Sequence, residues 1–230
     1  MRFQAKTFLH GVLVMFAFGA LGQSGRANDL SGIYFGGNAG TAQIDYDNAL
    51  YQKQLEGQVT GIGSLDFTDS SLRKRNAAWW VDAGYMLSPY FGIEADYLHF
   101  GALYNRVNGK YTPNGGIAES VILATLVRSD GPALGLLLRL PLTDAFALNL
   151  RLADYYGRTT LVNTIDATTD SSSRETANNS SLLLGLGAAY TFDGHWSAHL
   201  DYQRVNQAGN SSSVVKYDAD MATIGLSYTF

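Results

Sequence analysis

Most of the chain alternates, residue by residue, between apolar side chains and small or polar ones. From Leu134 to Leu140, for example, leucines occupy every second position, and Gly135, Leu137 and Arg139 stand between them. A period of two sends alternate side chains to opposite faces of a β-strand. Eight segments follow this pattern, at residues 33–39, 79–85, 93–99, 134–140, 146–153, 182–190, 196–203 and 222–230. Because a membrane-spanning strand needs about 9–11 residues of this kind, we expect an all-β protein, an eight-stranded antiparallel up-and-down transmembrane β-barrel.

The connections between these segments alternate in length. Short turns are predicted near Ser88, Leu142 and Asp193. Long polar stretches, which we expect to be loops, occupy residues 45–75, 105–120, 163–180 and 208–216. Short turns at one end and long loops at the other are typical of outer-membrane barrels. A soluble β-sandwich also alternates, but it needs no such difference between its two ends.

The N-terminal segment is predicted to be an export signal. Residues 1–27 begin with positive charges, continue with an apolar stretch and end in small residues, as a cleaved signal peptide does. Cleavage is expected after Ala27, with Gly22 as the alternative. A membrane anchor is the other interpretation, but the apolar run is shorter than the roughly 20 residues of a spanning helix. We therefore expect residues 28–230 to form the barrel domain.

The composition excludes several kinds of site. The chain has no Cys, which excludes thiolate metal sites, a Cys nucleophile, disulfides and a lipoprotein anchor. No pair among its 4 His has metal-ligand spacing on a lipid-free face, and the acids at 45–47 and 66–69 fall in predicted loops, where solvent is their expected environment. The net charge of −4 argues against nucleic acid. We expect no metal, no cofactor and no nucleic-acid partner.

Aromatic residues lie near the predicted strand ends, as in the aromatic girdles at the two surfaces of a membrane. The predicted girdle residues are Tyr34, Trp79, Tyr85, Tyr90, Tyr97, Tyr190, Trp196, Tyr202 and Tyr228. The chain ends on Phe230, two positions after Tyr228 and on the same face. This ending resembles the signal that the barrel-assembly machinery of outer membranes reads.

Three segments resemble the barrels of the OmpA type. Residues 84–97 read Gly-Tyr-Met-Leu-Ser-Pro-Tyr-Phe-Gly-Ile-Glu-Ala-Asp-Tyr, which is similar to the second hairpin of that family. Residues 199–203 resemble its seventh strand, where an Arg usually replaces His199, and residues 225–230 resemble its closing strand. The resemblance implies a protein of the bacterial outer membrane that meets periplasmic chaperones, the assembly machinery, lipids and lipopolysaccharide. Because no wall-binding domain follows the barrel, we expect no wall-tethering role.

Charged residues fall on the face opposite the lipid. If Tyr85, Tyr97 and Tyr202 point outward, a set of charges of both signs points into the lumen, and buried charges must pair. These residues are Asp82, Glu94, Asp96, Arg139, Arg151, His199 and Asp201. One interpretation is a salt-bridge network that closes a lumen just wide enough for side chains. The other is a switchable ion gate formed by Glu94, Arg139 and Asp201.

The gate is what the family resemblance implies, since an inward Glu of that family exchanges cationic partners. This chain departs from that pattern at two positions. His199 stands where the family has Arg, and Ala189 stands where it often has Glu.

Residues 195–197, His-Trp-Ser, resemble the His-x-Ser motif of lipid A deacylases, which pair a Ser nucleophile with a His base. The adjacent short turn puts them at the periplasmic end, and Ser197 is predicted to point inward. Both features oppose an enzyme, so we expect no catalytic residues.

The expected function is structural, with surface interactions through the external loops, where host or phage ligands would bind. The alternative is a narrow small-solute or ion channel of the porin or OmpW type. An OmpW-like pocket requires an apolar cluster inside the barrel, and no such cluster is predicted. The sequence pattern predicts no oligomeric state.

Overall fold

The structure is a computed structural model that describes residues 32–45, 63–73, 75–166, 171–208 and 217–230. The predicted signal peptide lies outside these residues. The described chain forms nine strands: β1 (Gly32–Asp45), β2 (Gly63–Arg73), β3 (Arg75–Ser88), β4 (Phe91–Pro113), β5 (Glu119–Pro141), β6 (Phe146–Asp166), β7 (Ser171–Thr191), β8 (Trp196–Ala208) and β9 (Tyr217–Thr229). Within the described ranges, no helix is long and apolar enough to cross a membrane.

Eight of the strands close into a ring, which confirms the predicted barrel. Neighbours around it are antiparallel, in the order β1, β3, β4, β5, β6, β7, β8, β9 and back to β1. β2 pairs with the distal half of β4, whose first half pairs with β3. One residue separates β2 from β3 in the sequence. Both strands pair with β4, one after the other along its length, so together they fill one strand position of the ring.

The strands are tilted against the barrel axis. A row of directly paired residues leaves β7 at Asn178, passes once around the ring and returns to β7 at Ala188. The row is Asn178, Arg158, Asp130, His99, Trp79, Ala39, Ile224, Leu200 and Ala188. Such a stagger requires a strand tilt of about 35–45°.

Three short turns lie at one end of the barrel, here called the turn end. They occupy residues 89–90, 142–145 and 192–195, as predicted from the sequence. At the opposite end, called the loop end, the turn at 114–116 joins β4 to β5, and Gly115 there has a positive φ of 77°.

The outer surface carries an apolar band next to the turn end. Its side chains include Leu134 and Ile224, each 69% exposed. Tyr85, Tyr97 and Tyr202 point outward, as predicted, and remain about half exposed. Within the band every ring strand therefore presents one apolar face outward.

Tyr34 is a correction to the predicted girdle. Its side chain is 6% exposed and lies inside the barrel. Ile33 and Phe35 occupy the outer face of β1, so alternation places Tyr34 on the inner face. Gly84 of β3 makes room for the ring, because a Cβ there would lie 2.3 Å from the Tyr34 Cζ. Of the other predicted girdle residues, Trp79, Tyr85, Tyr97, Tyr190, Trp196 and Tyr202 are exposed on the outside.

Two of the predicted loops, at 105–120 and 163–180, are largely strands, and the described part of a third, at 45–75, contains another strand, which corrects that expectation. Residues 63–73 form β2, β4 and β5 continue through most of 105–120, and β6 and β7 cover most of 163–180. A bulge between His99 and Ala102, with Gly101 at a φ of +74°, shifts the inner face of β4 from even to odd positions. The period of two is broken there. The predicted loop at 208–216 lies almost wholly outside the described residues.

Candidate functional site: the barrel lumen

All seven predicted lumen residues lie on the inner face of the ring. They come from five strands: Asp82 from β3, Glu94 and Asp96 from β4, Arg139 from β5, Arg151 from β6, and His199 and Asp201 from β8. The four acids and Arg151 are each at most 7% exposed, whereas Arg139 and His199 are partly buried. Together they form a polar layer across the turn-end half of the lumen.

Arg151 is the centre of this polar layer. Its Nε donates to Glu94 Oε1 at 2.5 Å, and its Nη1 donates to Asp201 Oδ1 at 2.7 Å. The guanidinium also lies over the ring of Trp80, 4.4 Å from the centroid, at cation–π distance. One buried cation therefore joins strands on three sides of the lumen.

Glu94 accepts a second hydrogen bond on its other oxygen. The Tyr34 hydroxyl donates to Glu94 Oε2 at 2.5 Å. With both oxygens engaged, this carboxylate has the partners that a buried charge requires. Tyr34 was predicted to belong to the girdle because it lies near a strand end, so the second partner of Glu94 was missed.

The remaining polar residues form smaller contacts. Asn38 Nδ2 donates to Asp82 Oδ1 at 3.1 Å, and His199 Nε2 lies 2.6 Å from the Ser227 hydroxyl. Arg139 forms no ion pair with any described residue. Glu94 and Asp201 are therefore joined through Arg151, not through the Arg139 of the predicted gate.

A small cavity separates the two arginines. It measures about 20 Å³ and is lined by residues that include Asp82, Arg139, Arg151 and His199. This volume is close to that of a single water site. The polar layer thus leaves room for ordered water between the two arginines.

An apolar layer fills the lumen beyond the polar one, towards the loop end. The expectation that no apolar cluster lies inside the barrel is therefore wrong. The cluster contains Trp80, Leu98, Phe100, Tyr155 and Leu183, each at most 1% exposed, among other residues. On β4 the inner face changes from Glu94 and Asp96 to Leu98 and Phe100 within one strand. These residues lie at or beyond the loop-end limits of the strands predicted from the sequence, so the alternating pattern did not group them into a cluster.

His195 and Ser197 lie on opposite sides of the barrel wall. The Ser197 hydroxyl is buried inside, 2.8 Å from the Thr191 hydroxyl. The His195 ring stacks on Tyr228 outside, with centroids 5.6 Å apart. The two side chains cannot act as a nucleophile and its base.

The turn before these residues is held by Asp193. Its Oδ1 accepts the backbone N–H of Trp196 at 2.6 Å and that of His195 at 2.9 Å. These two donors lower the pKa of the exposed Asp193 carboxyl. A charged carboxylate at this position therefore fixes the β7–β8 turn.

The last residues belong to an aromatic cluster on the outer surface at the turn end. Tyr228 makes edge-to-face contacts with Trp196 and with Phe230, at centroid distances of 5.1 and 4.9 Å. Phe35 of β1 packs against Phe230 in the same way. The predicted assembly residues, Tyr228 and Phe230, are thus side by side at the edge of the apolar band.

The chain is similar to several known proteins. Three solved structures resemble the chain: Neisserial surface protein A (14% identity, TM-score 0.43, covering 87% of this chain and 98% of that one), Ail, the attachment invasion locus protein of Yersinia pestis (11%, 0.42, 87% and 99%), and the outer membrane protein OprG of Pseudomonas aeruginosa (16%, 0.38, 87% and 97%). No curated protein sequence matches the chain. The OmpA-like transmembrane domain matches residues 28–230, so the chain belongs to the family of OmpA-like transmembrane domains, and its place is the bacterial outer membrane.

Proposed function

We propose that this protein is a closed structural barrel that meets other molecules through its external strands and does not transport solutes. The observation that carries the proposal is Arg151, which is bonded to both Glu94 and Asp201 across the lumen. The narrow channel of porin or OmpW type is the alternative, and a lipid-modifying enzyme is disfavoured by the separation of His195 from Ser197.

Two layers support a closed lumen. Moving an ion past Arg151 requires breaking a buried pair, which costs several kcal/mol. The apolar layer then surrounds an ion mainly with apolar side chains, and hydroxyls there are engaged with one another, as in the Ser129–Tyr155 and Thr159–Tyr217 pairs. An unsolvated charge in such surroundings is strongly disfavoured. The two barriers stand in series, so opening one does not open the other.

The external strands support a surface role. Short turns face the periplasm in this kind of barrel, so the loop end faces outward. At the loop end, β2 and the adjoining parts of β4 and β5 share a separate apolar cluster, with Val107, Val121 and Leu123 at its centre. A folded surface of this kind suits host or phage ligands better than an unstructured loop does.

Assembly partners belong to the same proposal. The paired aromatics Tyr228 and Phe230 lie at the membrane edge of the last strand, where the barrel-assembly machinery and periplasmic chaperones would recognise them.

The test is the conductance of the refolded protein in a planar lipid bilayer, with folding verified by the heat-shifted mobility on a gel. We expect no steady openings from the wild type, and none from Arg139→Gln, which removes the cation outside the Arg151 pairs. Steady, ion-selective openings of the wild type that change in Glu94→Gln would replace this proposal with the channel.

A further inference from the structure

A groove runs along the outer face of β1, within the apolar band. Small residues of β1 form its floor, and large apolar residues of β3 and β9 form its two walls. The rows of directly paired residues across it are Trp79–Ala39–Ile224 and Val81–Gly37–Leu226. This β1 groove measures about 710 Å³, against about 20 Å³ for the cavity inside the lumen. It is therefore large enough to receive side chains from another molecule.

The boundaries of the β1 groove are held in place by other side chains. On one wall, Trp79 stacks on Tyr97 and on His99, with ring centroids 6.1 and 5.5 Å apart. At the turn end, Phe35 occupies the next outward position of β1 and packs edge to face against Phe230. The groove is thus a fixed feature of the wall between packed aromatic side chains.

Gly37, on the floor of the groove, is not required by the packing of the barrel itself. On the inner face of the same strand, an added Cβ would lie 2.5 Å from an Asp82 carboxylate oxygen at Gly36 and 2.0 Å from the Ala222 carbonyl oxygen at Gly40. At Gly37 an added Cβ would meet no described atom within 4 Å, and its φ is not positive. Glycine weakens a strand and often marks a place where another molecule approaches closely.

The wall beside the groove carries a matching projection. Ile224 is 69% exposed and lies directly across from Ala39 on the neighbouring strand. A two-fold axis along the membrane normal, placed between β1 and β9, sets Ile224 of one copy against the groove of the other. The same axis makes this contact a second time with the roles exchanged, as a two-fold interface requires.

A second copy accounts for the groove better than lipid does. Acyl chains are fluid and cover a smooth wall as well as a grooved one, so they give no reason for Gly37. Between proteins in a membrane, association depends on van der Waals packing, and small residues permit the close approach that such packing needs. Because the strands are tilted, those of two facing walls cross at a large angle. The contact is therefore local, with one projection in one groove on each side of the axis.

We propose that this protein forms a two-fold symmetric dimer in the membrane, in which Ile224 of each copy inserts into the β1 groove of the other. Each copy supplies one projection and one groove, so the contact is complete with two copies. The dimer concerns the outer wall alone and is independent of whether the lumen conducts.

The first test is sedimentation equilibrium of the refolded protein in density-matched detergent micelles. We expect a dimer, and we expect Gly37→Leu, which fills the groove, to weaken it roughly thirtyfold, the effect of losing a central interface contact. Ile224→Ala should act in the same direction. The matched control is Leu134→Ala, which removes an equally exposed side chain from β5, opposite β9 in the ring, and should leave dimerisation unchanged. Heat-shifted gel mobility verifies that each variant is folded.

The second test uses the absence of Cys from the chain. Ala39→Cys and Ile224→Cys, mixed and refolded together in lipid vesicles, are expected to form a disulfide-linked dimer under mild oxidation, whereas Leu134→Cys is not. A monomeric wild type, equal dimerisation of Gly37→Leu and wild type, or equally fast cross-linking through Leu134→Cys overturns the proposal.

Discussion

The two halves of the lumen are filled by different kinds of interaction. Near the turn end, Arg151, Glu94 and Asp201 exchange hydrogen bonds between charged groups. Towards the loop end, side chains such as Phe100 and Tyr155 pack edge to face, with centroids 5.5 Å apart. The polar layer depends on ion pairs and hydrogen bonds, whereas the apolar layer depends on volume. A substitution in the polar layer therefore acts by leaving a buried charge without its partner, and one in the apolar layer acts by leaving a cavity.

The two layers also differ in how they contribute to stability. A buried ion pair contributes little net stability compared with apolar packing, yet loss of one partner is costly because the other charge stays buried. Apolar packing has no such partner requirement, and its loss scales with the cavity that remains.

The largest expected effect comes from Arg151→Ala. It leaves Glu94 and Asp201 buried without their cation, and we expect the free energy of unfolding to fall by about 3–5 kcal/mol. Urea unfolding in lipid vesicles measures it. Arg139→Ala is the matched control and is expected to cost less, because Arg139 has no ion pair with a described residue. Equal losses in the two variants would contradict the central place given to Arg151.

A somewhat smaller effect is expected from Leu183→Ala in the apolar layer. Leu183 is fully buried, and its truncation leaves a cavity, so we expect a loss of about 3 kcal/mol. The neighbouring Leu182→Ala is the control, since Leu182 points outward and is 47% exposed. The same unfolding assay compares them. If both cost the same, the loop-end lumen is not packed as a core.

The smallest effect concerns Asp193, which lies outside both layers. Two backbone donors lower its pKa in the folded state. The turn is therefore stabilised by this carboxylate above the unfolded pKa of about 3.9, and the contribution is lost as the pH falls through the lower folded value.

We expect the amide signal of Trp196 to shift below about pH 3.9 when it is followed by NMR from pH 6 downward. Asp193→Asn keeps an acceptor without an ionisable group and is expected to abolish the shift. A midpoint above 3.9 in the wild type would refute the proposed cause.

The sequence predicted the outer surface well, because lipid imposes one strict requirement. Every second residue in the band must be apolar, so the outward positions of Tyr85, Tyr97 and Tyr202 could be assigned by counting. The same counting places Tyr34 opposite Phe35, inside the barrel, and its assignment to the girdle overlooked that.

The partners inside the barrel could not be predicted in this way. Alternation shows that Arg139 and Arg151 share the inner face, but the height of each along the axis depends on the stagger between strands. That stagger brings Arg151, not Arg139, between Glu94 and Asp201. The external strands were missed for another reason. Outside lipid both faces can be polar, so stretches rich in Ser, Asn and Thr no longer show a period of two.

The strands of this ring are staggered, as shown by the row of paired residues that leaves β7 at Asn178 and returns at Ala188. This stagger limits which insertions and deletions the chain can accept during evolution. Loss of one residue within the band reverses inside and outside for the rest of that strand, and in a closed ring no free edge can absorb the error. Loss of two residues preserves the faces. Descendants of this protein can thus change length in steps of two residues or by whole hairpins, while single deletions are confined to the turns and the loop end.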